Sequence, residues 1–568
     1  MRKHRIVALT LVFAMLGGLA GCGGQSSPTD GKNPDAGEQE TPIGKAAVSA
    51  PGQLPITAEK STLDVFIVQL PTLLTDVTTN TFTKELEEAT NVHLNMTVAP
   101  EASYKEKLNL LLNSGDYPEV IMSGGFDNAQ LVRYGFDEKM LIPLNDLIEE
   151  HGYNIKKYLE AYPLIKQDMT APDGNIYGIP SVGSGAEVAK MTSGPRRAWI
   201  NMNWLNAVGL EKPTTTEEFR EVLRAFKTKD PNGNGKADEI PLTGAINTWA
   251  ADPYIFLLNA FGYFDESTML KLKDDKFTSV ADQDYMKDGL QYIHELYDEG
   301  LLDPASLTQD LQQLGALGGN PDDVVGSATC GHVGMLISIQ DTERARAFDN
   351  LEPLQGSNGY RGIPIDKEVR VSGAGYVITD RCRNPEIAFK FADYLCTEEV
   401  IVRGNVGIKG QTWDDADPGT FGLDGVTPAL RKFLSFTVSS EGATANDIWE
   451  NTCRLLETDW KSTFQVTGDI YDPTNFEARL EREHAKNLPY AADVQQIPPM
   501  YFDTDVAARI NQLKAPLIDY VKTSIVEFIA GKKSLETDWE SYKKGLDNLG
   551  YQEYIRLYQE SYDKKIGK

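Results

Sequence analysis

Between Asp230 and Glu239 the chain reads DPNGNGKADE. Asp230, Asn232 and Asn234 set side-chain oxygens at alternate positions, and Gly235 supplies a sharp turn after them. Oxygen donors in this rhythm suit a hard cation. Against a calcium loop of EF-hand type, Asp230, Asn232 and Asn234 take the first three alternating ligand positions. Lys236 offers its backbone carbonyl and Asp238 follows as a carboxylate. The closing bidentate Glu is replaced by Pro241, so Glu239 is the nearest carboxylate that completes the shell. Pro241 also blocks a normal second helix, and IPLTG reads as strand or turn. The competing reading is an Asx-rich turn that holds no ion. An oxygen-only set disfavours zinc or copper.

The element before this loop is a helix, PTTTEEFREVLRAFKTK, whose Thr214 and Thr215 each have a Glu three residues on (Glu217, Glu218), as in a capping box. Further upstream, strand and helix patterns alternate. Leu63–Leu70 reads as a buried strand, Thr81–Asn91 as an amphipathic helix and Val92–Pro100 as a strand. Ser103–Asp116 reads as a helix stopped at Gly115, and Tyr117–Gly125 as a strand. This βαβαβ order predicts an α/β domain with a largely parallel sheet. Ligands of such sheets bind beyond the carboxyl ends of the strands, so the loops after Leu70 and Met122 are candidate binding loops.

The N-terminus carries Arg2, Lys3 and Arg5 ahead of an apolar run, Ile6–Gly21, too short to span a bilayer. It reads as a signal peptide over 1–21. Leu19-Ala20-Gly21-Cys22 resembles a bacterial lipobox, which implies cleavage before Cys22 and lipidation (palmitate among the acyl groups) of that cysteine. Residues 22–61 are rich in Gly, Ser, Pro and charge and read as a flexible tether. The expected location is the extracellular face of the cell membrane, held by the lipid anchor only. The remaining chain is too long for one core. With 55 basic and 83 acidic residues, its surface repels nucleic-acid phosphate. Five cysteines without a CxxC pair are not a disulfide scaffold; Cys330, Cys382, Cys396 and Cys453 leave one or two bridges open.

Four blocks carry a family resemblance: KLNLLLNSGDYPEVI, MTAPDGNIYGIPS, the stretch from WINMNWLNAVGLEKP through DPNGNGKADEIPLTG, and GYVITDRCRNPEIAFKFADYL. In this order they resemble family 1 extracellular solute-binding proteins of carbohydrate ABC transporters. The similarity is greatest to the large lipoprotein and alginate-oligosaccharide-binding branch. The resemblance implies a two-lobed, type II periplasmic-binding-protein-like α/β fold with the ligand clamped in the cleft. Crossovers are expected near Gly178–Ser181, Gly373–Tyr376 and Gln496–Tyr501. Lobe one would then be 62–180 with 375–496, and lobe two 181–374 with 497–568. The resemblance also implies a structural Ca2+ held by Asp230, Asn232, Asn234, Lys236, Asp238 and Glu239. Its partners would be an oligosaccharide and the transporter's permease subunits, with the protein itself a monomer.

A sugar site needs aromatic platforms for C–H faces and polar side chains for hydroxyls. Trp249, with Asp252 and Tyr254 beside it, and Trp413, in a polar Gly-rich loop, are the candidate platforms; the plainer reading of each is a loop anchor. Phe126 and Asp127 follow a strand where a ligand would lie. Arg196 and Arg197 could serve an acidic sugar or form a salt-bridged pair. The six histidines form no HExxH, and there is no GxSxG, P-loop or strand-linked GxGxxG. The chain therefore reads as a non-catalytic binder. A surface polysaccharide hydrolase or lyase and a peptide or signal-molecule binder are the alternatives.

Overall fold

The computed structural model describes residues 47–69, 76–180, 196–246, 250–365, 370–436, 448–449 and 461–568. Along the chain, β1 (Ser61–Gln69), α1 (Thr81–Thr90), β2 (Val92–Pro100), α2 (Tyr104–Ser114) and β3 (Val120–Phe126) come first, followed by α3 (Pro163–Met169). β4 (Ala198–Asn201), α4 (Thr216–Thr228), α5 (Pro253–Leu258), β5 (Ser327–Thr329) and β6 (Phe348–Leu351) form the middle. Then come β7 (Ala374–Ile378), α6 (Pro385–Leu395), β8 (Trp413–Asp415) and β9 (Arg431–Phe433). α7 (Phe476–Asn487), α8 (Thr504–Ile529), α9 (Trp539–Asn548) and α10 (Tyr551–Ile566) close the chain.

The first sheet has the order β2-β1-β3-β7. β1 runs parallel to β2 and β3, while β7 is antiparallel to β3. α1 starts where the Asn80 side chain accepts from the Thr83 N–H and stops at Asn91, which adopts φ 58°. Gly115, at φ 75°, ends α2. β3 begins at Val120 rather than Tyr117: Pro118 has no N–H for a ladder, and the Glu119 side chain binds Arg383 instead. Phe66, Val120, Ile121, Val377 and Phe389 are the centre of this core.

The second sheet, β5-β4-β6, is antiparallel and centred on Trp199, which pairs with Ala328 and Asn350. A large core joins α4 and α5 to α8, α9 and α10 through Phe226, Leu257, Ile525, Tyr542 and Tyr554. α4 opens on a full capping box between Thr215 and Glu218, as the sequence indicates. Cys330 and Cys382 are free thiols.

Segments at the expected crossovers bond to neighbouring chain. Ile179 N–H donates to Tyr376 O at 2.8 Å, and Tyr376 N–H returns to Ile179 O at 3.0 Å. Tyr501 donates its hydroxyl to Met169 O at 3.1 Å. Within 375–496, the stretch expected for lobe one, α7 packs on the second sheet instead. Arg479 donates to Ala345 O and Phe348 O, both at 2.8 Å, and Asn350 donates to Asn487 Oδ1 at 3.0 Å. Phe476 joins the buried group around Trp199 and Val333. The burial of this helix face, not its place in the chain, decides where it sits.

Candidate cleft site

β3 does not end as a regular strand. Its pairing with β7 shifts register between Met122 and Phe126, and Ser123 and Gly125 adopt φ 58° and 60°. Past the irregularity Phe126 pairs with Ala374 as the last residue of β3, and Asp127 follows it at the carboxyl edge of the sheet. There the chain before β7 approaches so closely that a Cβ on Gly373 would lie 2.1 Å from Phe126 O. Gly373, at φ 74°, suits the one residue type with neither problem.

Two cavities meet at this edge, and Asp127 and Ser372 line both. The smaller, about 380 Å³, lies over Val68, Tyr104 and Phe126. The larger, about 590 Å³, reaches from Asp127 and Asn128 to Arg196, Tyr263 and Thr268 beside the second core. Gln495, Met500 and the α8 residue Lys514 complete its wall. A volume of this size suits a small-molecule ligand.

Several polar groups on the wall are held in place. Asp127 accepts from the Gln130 N–H at 2.8 Å, capping a short helix. Asn128 is buried; its Oδ1 accepts from Gly373 N–H at 2.7 Å and its Nδ2 donates to Met500 O at 3.2 Å. Asp265 accepts from the Thr268 hydroxyl at 2.6 Å and the Ser267 hydroxyl at 2.9 Å. Arg196 grips Glu266 with two donors, Nε at 3.0 Å and Nη2. Burial lowers the Arg196 pKa, but the Glu266 charge and hydrogen bonds outweigh it and leave the pKa raised. Arg370 binds Asp168 through Nε and Nη2, both at 2.7 Å.

The sugar residues read from the sequence are distributed unevenly. Phe126 and Asp127 come together in the cavities. Trp249 lies outside the described residues. Asp252 and Tyr254 are buried at the start of α5, and the Tyr254 phenol is raised by burial and then by the facing Asp252 carboxylate. Neither is among the residues lining the two cavities. Trp413 stands apart from them: its indole N–H donates to Gly407 O at 3.1 Å, and its ring packs against the small core of Ile401, Val406 and Phe464. Lys409 and Arg431 sit 5.7 and 5.8 Å from its ring centre. Arg197 is buried and donates to Gly331 O at 2.7 Å. Asn128, Thr268, Arg370 and Gln495 were not legible in the sequence. Only the Asx turn of Asp265-Glu266-Ser267-Thr268 carried a local signal.

No residue of the oxygen-rich loop lines either cavity. Asp230 accepts from the Gly235 N–H at 3.1 Å, and Asn232 and Asn234 donate to Asp238 at 3.3 and 3.1 Å. Ile240 and Thr243 then bridge in parallel to Val325 and Ala328, so the loop is tied to the β5 edge of the second sheet. Among the described residues no three carboxylate, imidazole or thiol side chains are drawn together as a metal cage. The donor chemistry nevertheless fits a hard cation. Glu239 Oε1, one residue on from the Asp238 carboxylate that the asparagine amides contact, is buried without a hydrogen-bond partner among the described residues.

The family model described as "Bacterial extracellular solute-binding protein" matches residues 74–401. The fructooligosaccharide ABC transporter substrate-binding protein FusA of Streptococcus pneumoniae is 30% identical over 518 residues, covering 89% of this chain and 90% of FusA. A solved structure of the S. pneumoniae FusA EF-hand mutant with fructo-nystose superposes with TM-score 0.71 at 26% identity, covering 89% of this chain and 99% of that one. The polygalacturonan/rhamnogalacturonan-binding protein YtcQ of Bacillus subtilis is 25% identical over 438 residues, covering 74% and 76% of the two chains.

Proposed function

Because the chain belongs to the bacterial extracellular solute-binding protein family, we propose that it captures an oligosaccharide between two α/β lobes and delivers it to the permease of an ABC transporter. Members of this family bind and release; the chain is not an enzyme. The observation that carries the reading is the pair of cavities sharing Asp127 and Ser372, at the carboxyl edge of the first sheet and against residues of the second half. A ligand there touches both halves, which is what drives a hinge to close.

In this reading the lobes exchange chain near Gly178–Ser181, Gly373–Tyr376 and Gln496–Tyr501, with α7 belonging to lobe two. Phe126 and Asp127 form the floor, and Trp249 is the stacking platform. The loop residues Asp230, Asn232, Asn234, Lys236 (by its carbonyl), Asp238 and Glu239 hold one structural Ca2+, which supplies positive charge to a cluster of oxygens and pins the β5 edge. Cys22 carries the lipid anchor on the extracellular face of the membrane.

Calorimetry of the mature chain against a panel of oligosaccharides tests capture. Saturable binding of one glycan class, with no product released from it, is expected. Absence of binding to every glycan, or turnover of one, would overturn the reading. Cys22→Ala is expected to move the protein out of the membrane fraction.

A further inference from the structure

Relatives of this chain differ in the charge of what their names say they bind, a fructooligosaccharide in one and a polygalacturonan in another. The fold therefore does not decide between a neutral and an acidic glycan; the cavity wall must. A uronate carboxylate is recognised best by a guanidinium fork whose parallel N–H groups are available. Among the described residues two guanidiniums face the larger cavity, and each is already committed. Arg196 spends Nε and Nη2 on Glu266, and Arg370 spends Nε and Nη2 on Asp168. Both pairs are shielded: the Asp168 side chain is 0% exposed and those of Arg196 and Glu266 are 21% and 20% exposed. A shielded, bidentate pair is costly to break, because each charge would be left without its partner.

Once these pairs cancel, the charges left on the wall among the described residues are the carboxylates of Asp127 and Asp265 and the ammonium of Lys514. The whole chain adds a net charge of −28. Carboxylates accept hydrogen bonds from sugar hydroxyls but repel a uronate. We propose that this site selects neutral over acidic oligosaccharides, and that Glu266 and Asp168 determine this specificity by neutralising the two guanidiniums that a uronate would need. The inference rests on the oligosaccharide-capture reading above.

The test is calorimetry on the mature chain with calcium present. Neutral probes (kestose, nystose, xylo- and arabino-oligosaccharides) are compared with oligogalacturonate and oligoalginate of matched length. At least one neutral probe is expected to bind about 100-fold or more tighter than either uronate. Glu266→Gln keeps the shape and one acceptor while releasing the Arg196 charge. It is expected to narrow that ratio about tenfold, and a melting temperature near wild type shows that the fold is kept. A uronate bound as tightly as the best neutral probe would overturn the selectivity while leaving capture intact. An unchanged ratio in Glu266→Gln would overturn the role of Glu266. If neither class binds, capture itself fails and the selectivity falls with it.

Discussion

The Asn128 side chain accepts the Gly373 N–H at 2.7 Å, across the point where the chain returns to the first sheet. The same amide donates to Met500 O at 3.2 Å, so one buried residue holds two separate passages of the chain. Replacing it leaves a buried donor and a buried acceptor unpaired, and each costs about 1–3 kcal/mol. Asn128→Ala is expected to lower stability by about 2 kcal/mol or more in a denaturant melt. Asn128→Asp keeps the acceptor for Gly373 but sets a buried carboxylate against the Met500 carbonyl, and at neutral pH should be destabilised at least as much as Asn128→Ala. Wild-type midpoints in both variants would show that the two passages are held by other contacts.

Calcium stabilises only the state that binds it. At 100-fold excess over Kd such a ligand adds about 2.7 kcal/mol. Chelator is expected to lower the melting temperature of wild type and to leave Asp230→Ala, Asp238→Ala unmoved. Because the loop is tied to β5 and not to the cavities, oligosaccharide affinity measured at low temperature should change less than stability does. An equal chelator effect in both proteins would place the ion elsewhere.

The two loop tryptophans are expected to separate. Trp249→Ala should weaken oligosaccharide binding by about 30-fold, the effect of losing an aromatic anchor of about 2 kcal/mol. Trp413 is engaged by Gly407 O and by Phe433 and its neighbours, so Trp413→Ala should lower the melting temperature with little change in Kd. Calorimetry and thermal melts on both variants check this; the reverse pattern would make Trp413 the platform.

His484 on α7 is 2% exposed, and neither ring nitrogen has a partner among the described residues. Burial, and then the nearby Arg197 charge, lowers its pKa from 6.5 to about 4. The unfolded chain takes up a proton below about 6.5 that the folded ring refuses. Stability from this group is therefore complete above about pH 6.5 and declines as pH falls towards 4. His332 is likewise lowered to about 4 and acts in the same window. His484→Gln cannot titrate and should lose less melting temperature between pH 6.5 and 4 than wild type. Parallel curves would rule His484 out as a source of acid sensitivity.

What the sequence made legible was local. β2 runs over Val92–Pro100 as read, because alternation and the flanking Asn and Pro fix both ends. The capping box of α4 and the placement of Asp127 just beyond a strand follow from short-range rules that depend on few neighbours, whereas Phe126, read as following the strand, is its last residue and pairs with Ala374. What was hidden is the meeting of distant segments. Asn128, Thr268, Arg370 and Gln495 come from four stretches that share a wall only once the chain has crossed between its two cores. Trp413 misleads for the same reason: its polar, Gly-rich sequence gives no sign of Phe464, about 50 residues on, which lies in the same small core. α7 was assigned by its place in the family order, while its buried face against Ala345 and Phe348 decides where it sits.

The close approach at Gly373 has a consequence for how such a receptor diversifies. The floor of the cavities is made where Phe126 O and Gly373 leave no room for a side chain between them. Its shape is therefore written in main chain and is closed to point mutation at that spot, since even alanine would collide with a carbonyl. The walls, built from Arg196, Thr268 and Gln495, carry ordinary side chains that can be exchanged one at a time. A lineage descended from this chain would change its diet by rewriting side chains around the cavities, generation after generation, over a backbone junction at Gly373 that it inherits unaltered.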